Sequence, residues 1–195
     1  MKLDKFELRR EIFHLLVGIS IIIGVIYIPY AQFIGFGILI IGAFLSFLST
    51  QYQIPLISKS LCLFERECNK NFPGKGVLFF FIGSLISLQI FEKNVALASI
   101  LILTFADPVS HFIGSNFGKY KTELNKKKNL EGTFSGIIIG TLFASFFISP
   151  LVAFFGSFFA MILELAGIAM GNTQIDDNLI IPLVAGTVMH IIIGI

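Results

Sequence analysis

Tryptophan is absent from this 195-residue chain, and only 13% of its residues are Asp, Glu, Lys or Arg. An ordinary soluble domain carries charge on about a quarter of its residues, so that class is excluded. There are two cysteines, Cys62 and Cys68. Their spacing matches no metal motif, and they are read as thiols on a reducing side. No G-x-x-x-x-G-K-[ST] phosphate loop and no soluble-kinase signature occurs, so any phosphate chemistry must use other groups. A removable signal peptide is not expected, because Glu11 and His14 interrupt the first apolar run and no small-residue cleavage site follows.

What the chain does have is apolar length. Hydrophobic residues make up 55% of it, phenylalanine alone supplies 23 residues, and the mean hydropathy is +0.89. Charge falls in a few clusters separated by runs of about 15–20 apolar residues, the length needed to cross a bilayer core. The runs are continuous rather than alternating, which excludes a transmembrane barrel. The expected fold is all-α and polytopic, with about seven transmembrane helices near 12–28, 31–49, 76–91, 95–114, 133–148, 151–170 and 179–195. Pro108 and Pro182 are expected to break or tilt their helices.

Lysine and arginine set the orientation. Four lie before residue 11, four in 50–75 and five in 115–132, leaving Lys93 alone in a short turn. With seven spans and a cytoplasmic N-terminus, thirteen of the fourteen positive charges are cytoplasmic, as the positive-inside rule requires. The chain is expected to be one transmembrane domain over 1–195. Residues 1–11 form a basic interfacial segment, and 50–75, 115–132 and 171–178 form cytoplasmic loops. Gly132, Gly136 and Gly140 share one helix face; tight packing inside the bundle is favoured over a homodimer seam.

Four polar groups fall on that cytoplasmic side. Asp107 ends the apolar run LILTFA, and His111 follows one turn later. An acid at that depth needs pairing, hydration or a cation. The basic loop continues through Lys126, Lys127 and Lys128 into Asn129-Leu130-Glu131-Gly132, where glycine permits the close backbone approach that a phosphate needs. Asp176-Asp177-Asn178 supplies hard oxygen ligands suited to Mg²⁺, although the same residues would also serve as a helix cap. Arg10 and His14 lie one turn apart, and phosphate binding is weighed evenly against interfacial anchoring. Glu164 is an intramembrane acid with no sequence-local partner, while His190 lies toward the far side and is read as structural.

Three fragments in order carry a family resemblance: R-R-E-I-F-H-L-L-V-G (9–18), D-P-V-S-H-F-I-G…F-G-K-Y (107–120) leading to K-K-N-L-E-G-T (127–133), and E-L-A-G…I-D-D-N-L-I-I-P-L-V-A-G (164–186). The chain resembles the CTP-dependent lipid-alcohol kinases, which include dolichol (polyprenol), phytol and farnesol kinases and CTP-dependent diacylglycerol kinase. That family is more distantly related to phosphatidate cytidylyltransferase. The resemblance implies phosphoryl transfer from CTP, with a divalent cation, to the hydroxyl of a membrane lipid. It aligns Asp107 with the family's Gly-Asp aspartate, Lys127, Lys128, Glu131 and Gly132 with its Lys-Lys-Ser/Thr-x-Glu-Gly segment, and Asp176, Asp177 and Asn178 with its Asp-Asp-Asn. Ala106 and Asn129 depart from the family's glycine and Ser/Thr, and His111 stands in place of a small residue.

The expected site is therefore Asp107 and Asp177 as catalytic acids, with either as general base. Mg²⁺ would sit on Asp107, Asp176 and Asp177. Phosphate or nucleotide would contact Lys127, Lys128, Glu131, Gly132, Asn178, Arg10 and His14, and Glu164 and His111 would be polar groups near the lipid. The partners are CTP, a lipid alcohol and membrane lipids, with no nucleic acid. Two alternatives stay open, cytidylyl transfer to phosphatidate and a small ion-coupled transporter.

Overall fold

From Val95 to Ala106 the sequence is apolar or small on every side, so the segment has no face suited to water or lipid and belongs at the centre of a bundle. In the computed structural model it does form the core: Ala96, Ala98, Ile100, Ile102, Leu103 and Ala106 are all 0% exposed. The structure describes residues 5–52, 74–121, 128–170 and 173–194. Among them are seven helices: α1 (Lys5–Tyr27), α2 (Ala31–Tyr52), α3 (Lys75–Ile90), α4 (Lys93–Phe117), α5 (Leu130–Ala144), α6 (Pro150–Ala166) and α7 (Asp177–Gly194). The expected all-α architecture has one addition, a small antiparallel pair β1 (Ala169–Met170) and β2 (Thr173–Gln174). Cys62, Cys68, Lys126 and Lys127 lie outside the described residues, as does most of the loop expected at 50–75.

Four helices, α1, α2, α4 and α7, are long and apolar enough to cross a membrane. The others, α3, α5 and α6, have 16, 15 and 17 residues. At 1.5 Å per residue they reach about 23–26 Å, somewhat short of a hydrocarbon core about 30 Å thick. On α5 the two faces separate cleanly. Phe134, Ile138 and Leu142 point outward, each more than half exposed, while Gly132, Gly136 and Gly140 are buried. An apolar outer face opposite a small-residue inner face is what lipid on one side and a packed helix on the other require.

The glycine face packs within this one chain. A β-carbon at Gly132 would lie 2.4 Å from the Ser110 carbonyl oxygen, and one at Gly136 would meet Met161 and the Ala106 backbone. Gly132→Ala is therefore expected to push α5 off α4 and to lower stability by about 1–3 kcal/mol, the usual cost of overpacking. Thermal unfolding in detergent measures it, and an unchanged midpoint would show that the helices are not in this close contact.

No break separates the polar residues 5–11 from the apolar remainder of α1. From Lys5 onward the basic interfacial segment expected at 1–11 forms the first turns of one continuous helix. Glu7, Arg10, Glu11, His14 and Gly18, spaced by three or four, share its face toward α4.

Midway along α4, Ile102–Ala106 widens into a π-helical turn directly before Asp107-Pro108. Proline has no N–H, and its ring crowds the carbonyl four residues back, so the ladder cannot continue in ordinary register. In the π register the donor to the Leu103 carbonyl would be residue 108, which has none. His14 supplies the missing proton from α1, its Nε2 3.1 Å from Leu103 O. His14→Ala should leave that buried carbonyl unsatisfied and cost about 1–3 kcal/mol. Denaturant or thermal unfolding reports the loss, and a wild-type stability would contradict the account.

Candidate functional site

Helices α1, α5 and α7 begin, and α4 and α6 end, at the side of the bundle where the longer connections fall. Because the chain reverses through short turns at the opposite side, residues distant in sequence meet here. Asp107 is central. Its charge acts on Arg10, Glu11 and His14 of α1, and on Lys128 and Glu164. Among the described residues Asp107 itself makes no hydrogen bond or ion pair. It is a carboxylate held in place by the helix that carries it.

The basic loop delivers one lysine into this space. Asn129 donates from Nδ2 to Gly114 O at 2.6 Å, tying the loop to the end of α4. Leu130 N–H donates to Tyr120 O at 3.0 Å, closing the loop's base. Glu131 accepts from the backbone N–H groups of Lys119 and Tyr120 at 2.8 and 3.1 Å. With both strands of the loop fastened, Lys128 turns inward and bonds both Glu164 and, at 2.8 Å, Asp177. Burial of the Lys128 ammonium opposes its charge, but the Glu164 and Asp177 carboxylates outweigh that and hold its pKa above the usual lysine value. It therefore stays cationic at any physiological pH.

At the start of α7 the three polar residues divide their work. Asp176 accepts from Asn178 N–H at 3.2 Å, and Asn178 Nδ2 donates to Gly76 O at 3.2 Å on α3. Burial pushes the Asp176 carboxyl above the ordinary range, despite the Asn178 bond and nearby Lys75. Asp177 alone faces the lysine.

The sequence-expected residues thus fall into two groups. Asp107, Lys128, Glu164, Asp177 and Arg10 converge. Glu131, Gly132, Asp176, Asn178 and His14 are engaged in holding loops and helices, and Lys127 lies outside the described residues. His111 belongs to a further cluster that was not foreseen: its Nδ1 is 3.4 Å from Glu11 Oε1 and its Nε2 is 3.9 Å from Glu7 Oε2. Arg10 bridges the same carboxylates, at 2.6 Å to Glu11 and 3.4 Å to Glu7. Glu7, Arg10 and Glu11 are spaced for pairing along one helix face, and the i, i+4 stripe running on to His14 is the signal that this face is buried.

The expected magnesium set Asp107, Asp176 and Asp177 fits only in part, since Asp176 caps its own helix. Glu164 lies at the same place: its side chain is 4% exposed and bonds Lys128, and its Oε2 is buried without a hydrogen-bond partner. Among the described residues Asp107, Glu164 and Asp177 do not bring one oxygen each within 4.8 Å of one another, so the three do not form a ready-made ion site.

Comparison with known proteins sharpens these observations. No family model matches the chain. No solved structure matches it either. It is 30% identical over 186 residues to the uncharacterized protein MJ1137 of Methanocaldococcus jannaschii, covering 94% of this chain and 93% of the relative. It is 27% identical over 144 residues to a Schizosaccharomyces pombe protein named CTP-dependent diacylglycerol kinase 1, covering 65% of this chain and 64% of that one. The Eremothecium gossypii protein of the same name is 25% identical over 145 residues, covering 61% and 44%. The chain thus spans less than two thirds of the length of these two kinases. Matched nearly end to end, it belongs to one family with the M. jannaschii protein, and its named homologues support placing it among the CTP-dependent lipid kinases.

Proposed function

We propose that this protein is a seven-span membrane kinase that transfers the γ-phosphate of CTP to the hydroxyl of a membrane lipid alcohol, at the cytoplasmic face. The observation that carries the reading is Lys128 held between Glu164 and Asp177 beside Asp107, at one polar end of an otherwise apolar bundle. The names of the fungal relatives support CTP as donor and a lipid as acceptor. The positive charges on the longer connections support the cytoplasmic side.

Phosphoryl transfer demands positioning and charge neutralisation more than covalent help. Lys128, permanently charged, neutralises the phosphate oxygens. Asp107, with no ion pair of its own among the described residues, accepts the alcohol proton. The alcohol oxygen then bonds to the γ-phosphorus as the bond to the β-phosphate oxygen breaks, and CDP leaves. Glu164 and Asp177 would hold a magnesium ion arriving with the nucleotide, which would supply further charge neutralisation at the phosphates. The lipid tail enters sideways between apolar helices while the nucleotide arrives from water.

Cytidylyl transfer to phosphatidate is the second reading, since it uses the same nucleotide; the kinase names of the homologues favour phosphorylation. Incubating purified protein with CTP, Mg²⁺ and, separately, diacylglycerol, polyprenol and phytol distinguishes the two. A phosphorylated lipid in at least one reaction is expected by mass spectrometry. No phosphorylated alcohol, with CDP-lipid formed from phosphatidate, would overturn the proposal.

A further inference from the structure

On the α1 side of Asp107, away from Lys128, the proposed transfer reaction leaves a second polar cluster unused. Glu7 and Glu11 lie one turn apart on α1, and His111 faces them from α4, one turn beyond Asp107. One ligand atom from each of the three lies within 4.8 Å of the others. The His111 Nδ1–Glu11 Oε1 separation is 3.4 Å. Two ligands held about 2.0–2.2 Å from a tetrahedral ion lie about 3.3–3.6 Å apart, so this pair already has the separation a shared ion requires.

Charge and hydrogen bonding point the same way. Arg10 lies among three acids, Glu7, Glu11 and Asp107, so the cluster is rich in carboxylate oxygens. One Arg10 nitrogen serves both glutamates, at 2.6 and 3.4 Å. Glu11 is only 5% exposed, yet its second oxygen, Oε2, is buried with no hydrogen-bond partner. A buried carboxylate oxygen without a donor is costly, and a bound cation removes that cost directly. The imidazole decides the class of ion, because nitrogen ligation favours zinc or a first-row transition metal over magnesium.

We propose that Glu7, Glu11 and His111 bind a divalent transition-metal ion such as Mn²⁺ or Zn²⁺, joining α1 to α4 beside Asp107 and separate from the Lys128–Glu164–Asp177 group. The site does not depend on the kinase reading, since the ion binds with neither nucleotide nor lipid present.

The test uses the full chain in detergent, with Cys62 and Cys68 replaced by serine so that thiolates cannot contribute. After chelator treatment, Mn²⁺ is titrated and followed by electron paramagnetic resonance, with pulsed measurement of nitrogen coupling to the bound ion. One tight ion per chain with a histidine nitrogen signal is expected. In E11Q/H111A the affinity should fall at least about 100-fold, beyond the 10–100-fold typical of residues that only support a ligand. H111A alone, at a partly exposed position, should abolish the nitrogen signal even if the double variant folds poorly. E164Q/D177N should bind as the parent does. The proposal fails if the parent binds no Mn²⁺ or shows no nitrogen coupling, if H111A keeps that coupling, or if affinity is lost in E164Q/D177N instead.

Discussion

Lys128→Met is expected to reduce kcat by about 10²–10³-fold, the scale of removing one preorganised charge stabiliser from a transition state, and to destabilise the fold as well. The second effect follows from where the ammonium sits. Glu164 is 4% exposed at its side chain and bonds Lys128, as does Asp177 at 2.8 Å. Removing the cation leaves those charges buried together, and breaking a buried pair costs about 3–5 kcal/mol. A second substitution separates the two roles. In K128M/E164Q one carboxylate is neutralised, so much of the lost stability should return. Activity should not return, because the phosphate still meets no lysine. Rescue of both together would mean that Lys128 is a structural ion-pair partner and nothing more.

Asp107→Asn should behave in the opposite way, losing activity without losing stability. As the proposed proton acceptor, Asp107 is worth about 10²–10⁴-fold in rate, the range for general acid–base catalysis. Its charge repels the buried acids Glu11 and Glu164 and attracts Arg10 and Lys128, so the two effects offset. Among the described residues no hydrogen bond or ion pair is lost when it becomes an amide. D107N should therefore unfold close to the parent's temperature while activity is lost, as expected at a catalytic acid whose charge is not needed for folding. Steady-state kinetics and thermal unfolding on one preparation check both halves. Full activity, or a clearly lowered midpoint, would remove Asp107 from the proposed role.

The helices were legible because each apolar run is continuous and charge marks its ends, as at Lys75 and Lys93. Their limits shifted where polar residues continue a helix: Glu7, Arg10 and Glu11 extend α1 because they fall on the same face as His14 and Gly18. The small β1–β2 pair was missed, although Gly171-Asn172 is a recognised hairpin dipeptide. The partners of Glu164 could not be read at all. Lys128 lies 36 residues away in sequence, and only the packing of α5, α6 and α7 brings them together. The π turn was equally hidden, since it joins a proline's missing N–H to a histidine 89 residues from the carbonyl it serves. Asp176, Asn178, Glu131 and Gly132 illustrate a further limit. A motif read for its chemistry also contains the residues that hold the chemistry in place, and residue type alone does not divide them.

Two parallel reactions with differently labelled CTP test the central claim most directly. Purified protein is given Mg²⁺ with diacylglycerol, polyprenol, phytol or phosphatidate, and CTP labelled at either the α- or the γ-phosphate. The account predicts γ-label in the phosphate of a lipid alcohol, α-label remaining in released CDP, and no pyrophosphate. The contrary result is α-label in a CDP-lipid with γ-label in pyrophosphate. That would make the protein a cytidylyltransferase and remove Asp107 as the acceptor of an alcohol proton.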